Sequence, residues 1–145
     1  MRLVIQRVSE ASVRVNGEIV GRIDKGLLVL CGIHVQDTKE QLDWGADKLP
    51  HLRIFEDEHG KMNLSVLDVG GGILLIPNFT LAGDASQGRR PAFDRAMRPE
   101  VAQPAFEAFV SRVRSHGVMV QTGVFRADMK VALINDGPVT IVLEK

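Results

Sequence analysis

The sequence predicts an α+β fold in one domain over residues 1–145, with a strongly curved, barrel-like and mostly antiparallel β-sheet covered by helices. Three observations predict it. About eight stretches are rich in β-branched and large apolar residues and end at Gly, Pro, Asn or Asp. Two others repeat apolar residues at helical spacing. No linker, repeat or low-complexity segment divides the chain.

Arg2 to Val8 and Ser12 to Val15 read as strands, and Asn16-Gly17 is a strong two-residue hairpin signal before Glu18 to Ile23. Asp24-Lys25-Gly26 turns into Leu27 to Ile33, which is apolar on both faces and so predicts a central, buried strand. A helix is expected from Asp37-Thr38. Thr38 with Gln41, or Asp37 with Glu40, has capping-box spacing; Leu42, Ala46 and Leu49 share a face, and Pro50 ends or kinks the element. Leu52 to Phe55 and Lys61 to Leu64 predict a hairpin around Asp57-Glu58-His59-Gly60. Gly70 to Gly72 break the chain before a buried strand, Ile73 to Ile76, which runs into Pro77-Asn78-Phe79-Thr80-Leu81. After a polar loop, Pro99 suits a first helical turn. Ala102, Ala105, Phe106, Phe109, Val110 and Val113 then form a stripe that Gly117 can cap. Val118 to Thr122 is a further strand, and Met129 to Ile134 and Val139 to Leu143 are the last two.

Asn135-Asp136-Gly137-Pro138 joins those last strands. Pro138 has no N–H to give a ladder, so the pair Gly137-Pro138 marks a turn or a bulge. One reading is a hairpin corner in which Asn135 and Asp136 bond the backbone. The other is a rigid pair of carbonyls displayed for recognition.

Composition narrows the function classes. Eighteen basic and eighteen acidic residues balance, so no global field gathers nucleic acid and any polyanion must meet a local patch. No apolar run approaches the roughly 20 residues a membrane helix needs, and the N-terminus lacks a signal-peptide pattern and is expected to be part of the fold. The lone Cys31 fits an intracellular protein, and its apolar neighbours make it a poor nucleophile.

The sequence presents no obvious catalytic set. The four histidines have no metal-ligand spacing, and no Walker loop, nucleophile elbow or dinucleotide fingerprint occurs, so neither metal nor cofactor is expected. Thr80 follows a buried strand without a base beside it in sequence; its hydroxyl serves either a turn or, with an unseen base, catalysis. The backbone N–H groups of Phe79 and Thr80 can form an oxyanion hole whatever their side chains. Arg89, Arg90, Arg95 and Arg98 against Asp94 make the loop Ser86 to Arg98 either a phosphate contact or a solvated loop.

Taken together, Gln6-Arg7-Val8, Ala11-Ser12-Val13, Arg53-Ile54-Phe55, Gly60-Lys61-Met62-Asn63-Leu64, Phe79-Thr80-Leu81, Gly88-x-Arg90-Pro91-x-Phe93, Gln121-Thr122-Gly123, Ala127-Asp128-Met129 and Asn135 to Thr140 resemble the D-aminoacyl-tRNA deacylase family, in order along the whole chain. The resemblance implies that family's fold and a cytoplasmic homodimer with active sites at the subunit interface. It implies hydrolysis of the ester between a D-amino acid and tRNA, and of glycyl-tRNA mischarged on tRNA-Ala, without metal or cofactor. Gly137 and Pro138, joined by a cis bond, would enter the partner's active site and leave no room for an L side chain. Arg7 would brace them. Phe79 and Thr80, with Asn78, would form the catalytic turn, the RNA's 2′-hydroxyl would help activate water, and Phe125 and Met129 would line the adenine pocket. Arg89 and Arg90 would touch the tRNA. One departure stands out: Pro77-Asn78 replaces the family's usual Ser-Gln. Pro77 is similar to an animal branch that removes L-alanine and carries its Gly-Pro bond trans, whereas Phe79 and Arg7 resemble the D-specific branch. A D-specific enzyme with a cis bond is expected, with altered tolerance for glycine or L-alanine left open.

Overall fold

In the computed structural model, which describes residues 1–145, the sheet assembles around the first strand, β1 (Arg2–Val15). Its apolar positions alternate, so Leu3, Ile5, Val8, Ala11 and Val13 are buried while the residues between them are not all so. Along one edge β1 pairs antiparallel with β3 (Gly26–Gly32) through Arg2 to Val8 and with β2 (Glu18–Ile23) through Ala11 to Val15. Asn16 and Gly17 both take positive φ, as the hairpin signal requires.

β3 continues into β6 (Gly72–Pro77) and β6 into β7 (Met119–Thr122), both in parallel register. Three pairings of the main sheet are therefore antiparallel and two parallel. The parallel part needs crossovers, which the two helices supply. A separate small hairpin pairs β4 (Phe55–Glu56) with β5 (Met62–Leu64), so the strand expected over Leu52 to Phe55 begins at its last residue. The sheet nearly closes on itself: a Cβ on Gly21 of β2 would sit 2.8 Å from the Thr122 carbonyl oxygen of β7.

Two apolar layers result. Leu27, Val29, Ile73 and Leu75 face the helices, and Leu28, Leu74 and Ile76 face the barrel interior. This two-sided burial accounts for the uninterrupted apolar runs of β3 and β6.

The helix α1 (Lys39–Lys48) starts at Thr38 by a capping box with Gln41. The alternative pair fails because Asp37 is already engaged by the Met1 amine and the His34 N–H. Pro50 falls in a 3₁₀ turn, Leu49–His51, that follows the helix directly. The second helix, α2 (Pro99–Ser115), buries Ala102, Phe106, Phe109, Val110 and Val113, and Gly117 follows it at φ +83°. Arg112 of α2 donates to both oxygens of Asp47 on α1 at 2.7 Å, and His116 Nε2 lies 2.9 Å from the same carboxylate. Those bonds, Arg112's first, hold the Asp47 carboxyl well below the usual carboxylate range.

The last two predicted strands are one. β8 (Lys130–Glu144) runs antiparallel to β1 along its whole length, so the hairpin corner expected at Asn135-Asp136-Gly137-Pro138 is absent. Between the pairs Gln6–Thr140 and Val8–Asn135 stand Arg7 alone on β1 and Asp136 to Val139 on β8. The surplus loops out as an enlarged bulge. The Asn135 side chain closes it, accepting from the Val139 N–H and donating to the Val139 carbonyl, each at 3.0 Å.

Candidate active site

β6 ends at Pro77, the last residue of its ladder with β3, and the Asn78 N–H still reaches the Cys31 carbonyl at 2.8 Å. The chain then winds into a 3₁₀ turn, Phe79–Ala82, capped by Asn78. The Asn78 Oδ1 accepts the Thr80 N–H at 3.2 Å and the Thr80 hydroxyl at 2.5 Å. The first N–H groups of a helical turn have no partner within it, and an Asn before them supplies one. The Thr80 hydroxyl thus has a structural partner, an amide oxygen that cannot serve as a strong base. Phe79 is 60% exposed, its ring edge-on to Phe93 with centroids 5.3 Å apart.

This turn forms one side of a cavity of about 720 Å³ between the ends of β3 and β6, the start of α2 and the segment before β8. The volume suits a nucleoside-sized ligand. Pro77, Asn78, Phe79, Phe125 and Met129 all line it, so the structure brings together residues from two separate stretches of the chain. Phe125 leans on Phe106 of α2 with centroids 6.3 Å apart. Met129 is crowded by Gly123, where a Cβ would fall 2.5 Å from its sulfur. Cys31 also lines the cavity, and burial pushes its thiol up to about 12. A thiol in that state supplies no thiolate near neutral pH. Asp128 is the sole carboxylate on the wall, and Lys130 holds it at 2.8 and 3.0 Å. Nowhere do three or more His, Cys, Asp or Glu side chains converge as metal ligands.

Gly137 and Pro138 lie outside this cavity, exposed on the bulge of β8. Their peptide bond is cis, and Gly137 has φ +142°. A Cβ there would come 2.8 Å from Val139 Cγ2 and 3.1 Å from Arg7 Nη2, so the site excludes any larger residue. Arg7 is 7% exposed. It donates through Nε to the Asp136 carbonyl at 2.9 Å and through Nη1 to the Ile54 carbonyl at 2.8 Å, tying the bulge to the segment before β4. Arg89 and Arg90 sit on the exposed loop and do not reach the cavity, whereas Arg98 and Arg126 line it.

A family model described as D-Tyr-tRNA(Tyr) deacylase matches residues 4–144. The chain belongs to the D-aminoacyl-tRNA deacylase family. Proteins named D-aminoacyl-tRNA deacylase from Exiguobacterium sibiricum and Brevibacillus brevis are 55% and 56% identical to it, the first over all of both chains and the second over 99% of each. A solved structure described as a c-Myc DNA unwinding element binding protein is 40% identical, covers 100% of this chain and 99% of its own, and superposes with a TM-score of 0.94. Another, described as a probable eukaryotic D-amino acid tRNA deacylase, shares the fold with a TM-score of 0.84 at 20% identity, over 98% of this chain and 97% of that one.

Of the two arginines on the cavity wall of this deacylase fold, the sequence offered Arg98 only within a cationic loop and did not mark Arg126. Arg98 was visible as one of four loop cations, but nothing marked it above the others. Arg126 sits at φ +63°, and a left-handed arginine leaves no trace in sequence.

Proposed function

We propose that this chain hydrolyses the ester of D-aminoacyl-tRNA, with the terminal adenosine in the cavity beside Phe79 and the acyl carbon at the 3₁₀ turn. The observation that supports it best is that the Asn78-Phe79 turn and the distant pair Phe125 and Met129 line the same cavity. Phe125 and Met129 supply apolar surface for a base. The Phe79 and Thr80 N–H groups face the oxyanion as charge develops. Thr80 gives up its bond to the Asn78 amide because a charged acceptor binds roughly twice as strongly as a neutral one. The RNA's own 2′-hydroxyl helps activate the water, a reading supported by a cavity that no histidine or glutamate lines and whose one carboxylate, Asp128, is paired with Lys130.

Gly137 and Pro138 of one subunit act in the cavity of its partner. Their exposure and their absence from the lining of their own cavity support this, as does the brace that Arg7 gives to the bulge. Their carbonyls hold the substrate amino group and exclude an L side chain. Glycine has none, so glycyl-tRNA mischarged on tRNA-Ala is a substrate too, in the cytoplasm. The enzyme is D-specific although Pro77 stands where the family usually has Ser.

Deacylation of matched D-, L- and glycyl-tRNAs, each also with a 2′-deoxy terminal ribose, tests this reading. D- and glycyl-tRNA should be cleaved and L-tRNA spared, with the 2′-deoxy forms strongly impaired. Equal rates with and without the 2′-hydroxyl would indicate an ordinary esterase. Binding of charged tRNA without release of amino acid would favour a second reading, nucleic-acid binding alone, which the description of the 40%-identical structure suggests. Faster loss of L-alanine than of D-amino acids would overturn the specificity.

A further inference from the structure

The cavity carries two guanidinium groups that the chemistry above leaves unused. Arg98 and Arg126 both line it, and both are exposed. Several arginines elsewhere are engaged within the chain, Arg7 and Arg53 by carbonyls, Arg95 by Asp84 and Arg112 by Asp47, and the other unengaged ones, Arg14, Arg89 and Arg90, lie outside the cavity. Arg98 and Arg126 have no such acceptor.

Their backbones are fixed all the same. Arg98 is the residue that caps α2, its carbonyl accepting from Val101 and Ala102 at 3.0 and 2.8 Å, and the Met97 N–H before it reaches the Ile33 carbonyl at 3.0 Å. Arg126 follows Phe125 at φ +63°, a conformation that L residues avoid and that recurs at ligand sites. The one carboxylate on the wall, Asp128, is already neutralised by Lys130. The cavity therefore pairs an apolar wall, Phe125 and Met129, with two uncompensated cations. Guanidinium groups bind phosphate oxygens through paired N–H donors better than they bind any neutral part of a nucleoside.

We propose that Arg98 and Arg126 grip the phosphate on the 5′ side of the terminal adenosine, so that the enzyme recognises a phosphodiester-linked RNA end and not a free nucleoside ester. This rests on adenosine occupying the cavity. It also separates two kinds of arginine: Arg98 and Arg126 act at the last phosphate, while Arg89 and Arg90 lie outside the cavity.

The test is calorimetric titration of the full chain with a hydrolysis-resistant 3′-(D-alanylamino)-3′-deoxyadenosine, with and without a 5′-phosphate. The phosphate should tighten binding about tenfold or more. R98A and R126A should each lose roughly three- to tenfold on the phosphorylated ligand, and none on the other. R98K and R126K should recover part of the loss, since charge remains without the fork. A phosphate that adds nothing, or variants that weaken both ligands equally, would overturn the clamp while leaving adenosine in the cavity. If neither ligand binds, or if F125A binds both as well as the parent protein does, the adenosine reading fails and the clamp with it.

Discussion

At the scale of single residues, Asn78 and Thr80 carry the sharpest question. The Thr80 hydroxyl donates to the Asn78 amide oxygen at 2.5 Å, which makes it part of the turn's cap. Thr80→Ala should keep most of its activity, within about tenfold, because the N–H remains. Single-turnover deacylation checks this, and a loss on the order of 10²-fold or more would give the hydroxyl a part in the chemistry. Arg7 shows how far a sequence can and cannot be read at this scale. Its place in Gln6-Arg7-Val8 supported the resemblance, yet nothing in sequence shows that its guanidinium is buried and joins Asp136 to Ile54. Cys31 was legible from its neighbours alone, because desolvation by an apolar strand needs no long-range information.

At the scale of elements, local signals predicted local structure well. The capping box of α1, the apolar stripe of α2 and the Asn16-Gly17 turn depend on residues within one or two turns of one another. What failed was pairing. Met129 to Ile134 and Val139 to Leu143 look like the arms of a hairpin because Gly-Pro usually breaks a strand; both arms instead find the same long partner, β1, and the break becomes a bulge. Asn135 makes that possible, so Asn135→Ala should destabilise the fold by about 1–3 kcal/mol, read as a lower urea midpoint. The α1–α2 junction gives a pH signature. Asp47 has a depressed folded pKa, so its contribution is present above the unfolded value and is lost as pH falls through the folded one. Asp47→Asn should lower the melting temperature at pH 7, and the gap to the parent protein should narrow below about pH 4. A gap independent of pH would point to packing and not charge.

For the whole molecule, the α+β class and the covered, curved sheet were legible because apolar periodicity and length largely decide them. Strand order was not, and neither was the parallel half of the sheet, since an apolar run carries no sign of its neighbour's direction. The cavity was hidden for the same reason: it exists only once β3, β6, α2 and the segment before β8 meet. Closure of the barrel depends on Gly21. Gly21→Ala should force β2 away from β7 and cost roughly 1–3 kcal/mol, measured by denaturant unfolding. The bulge of β8 bears on a different hazard. β8 pairs only with β1 in this chain, leaving a fifteen-residue edge of backbone donors and acceptors. Such an edge invites stray extended chains to add themselves and seed aggregates. Asp136 to Val139 interrupt it near the middle, and Pro138 has no N–H to offer, so no intruding strand can follow the edge from end to end.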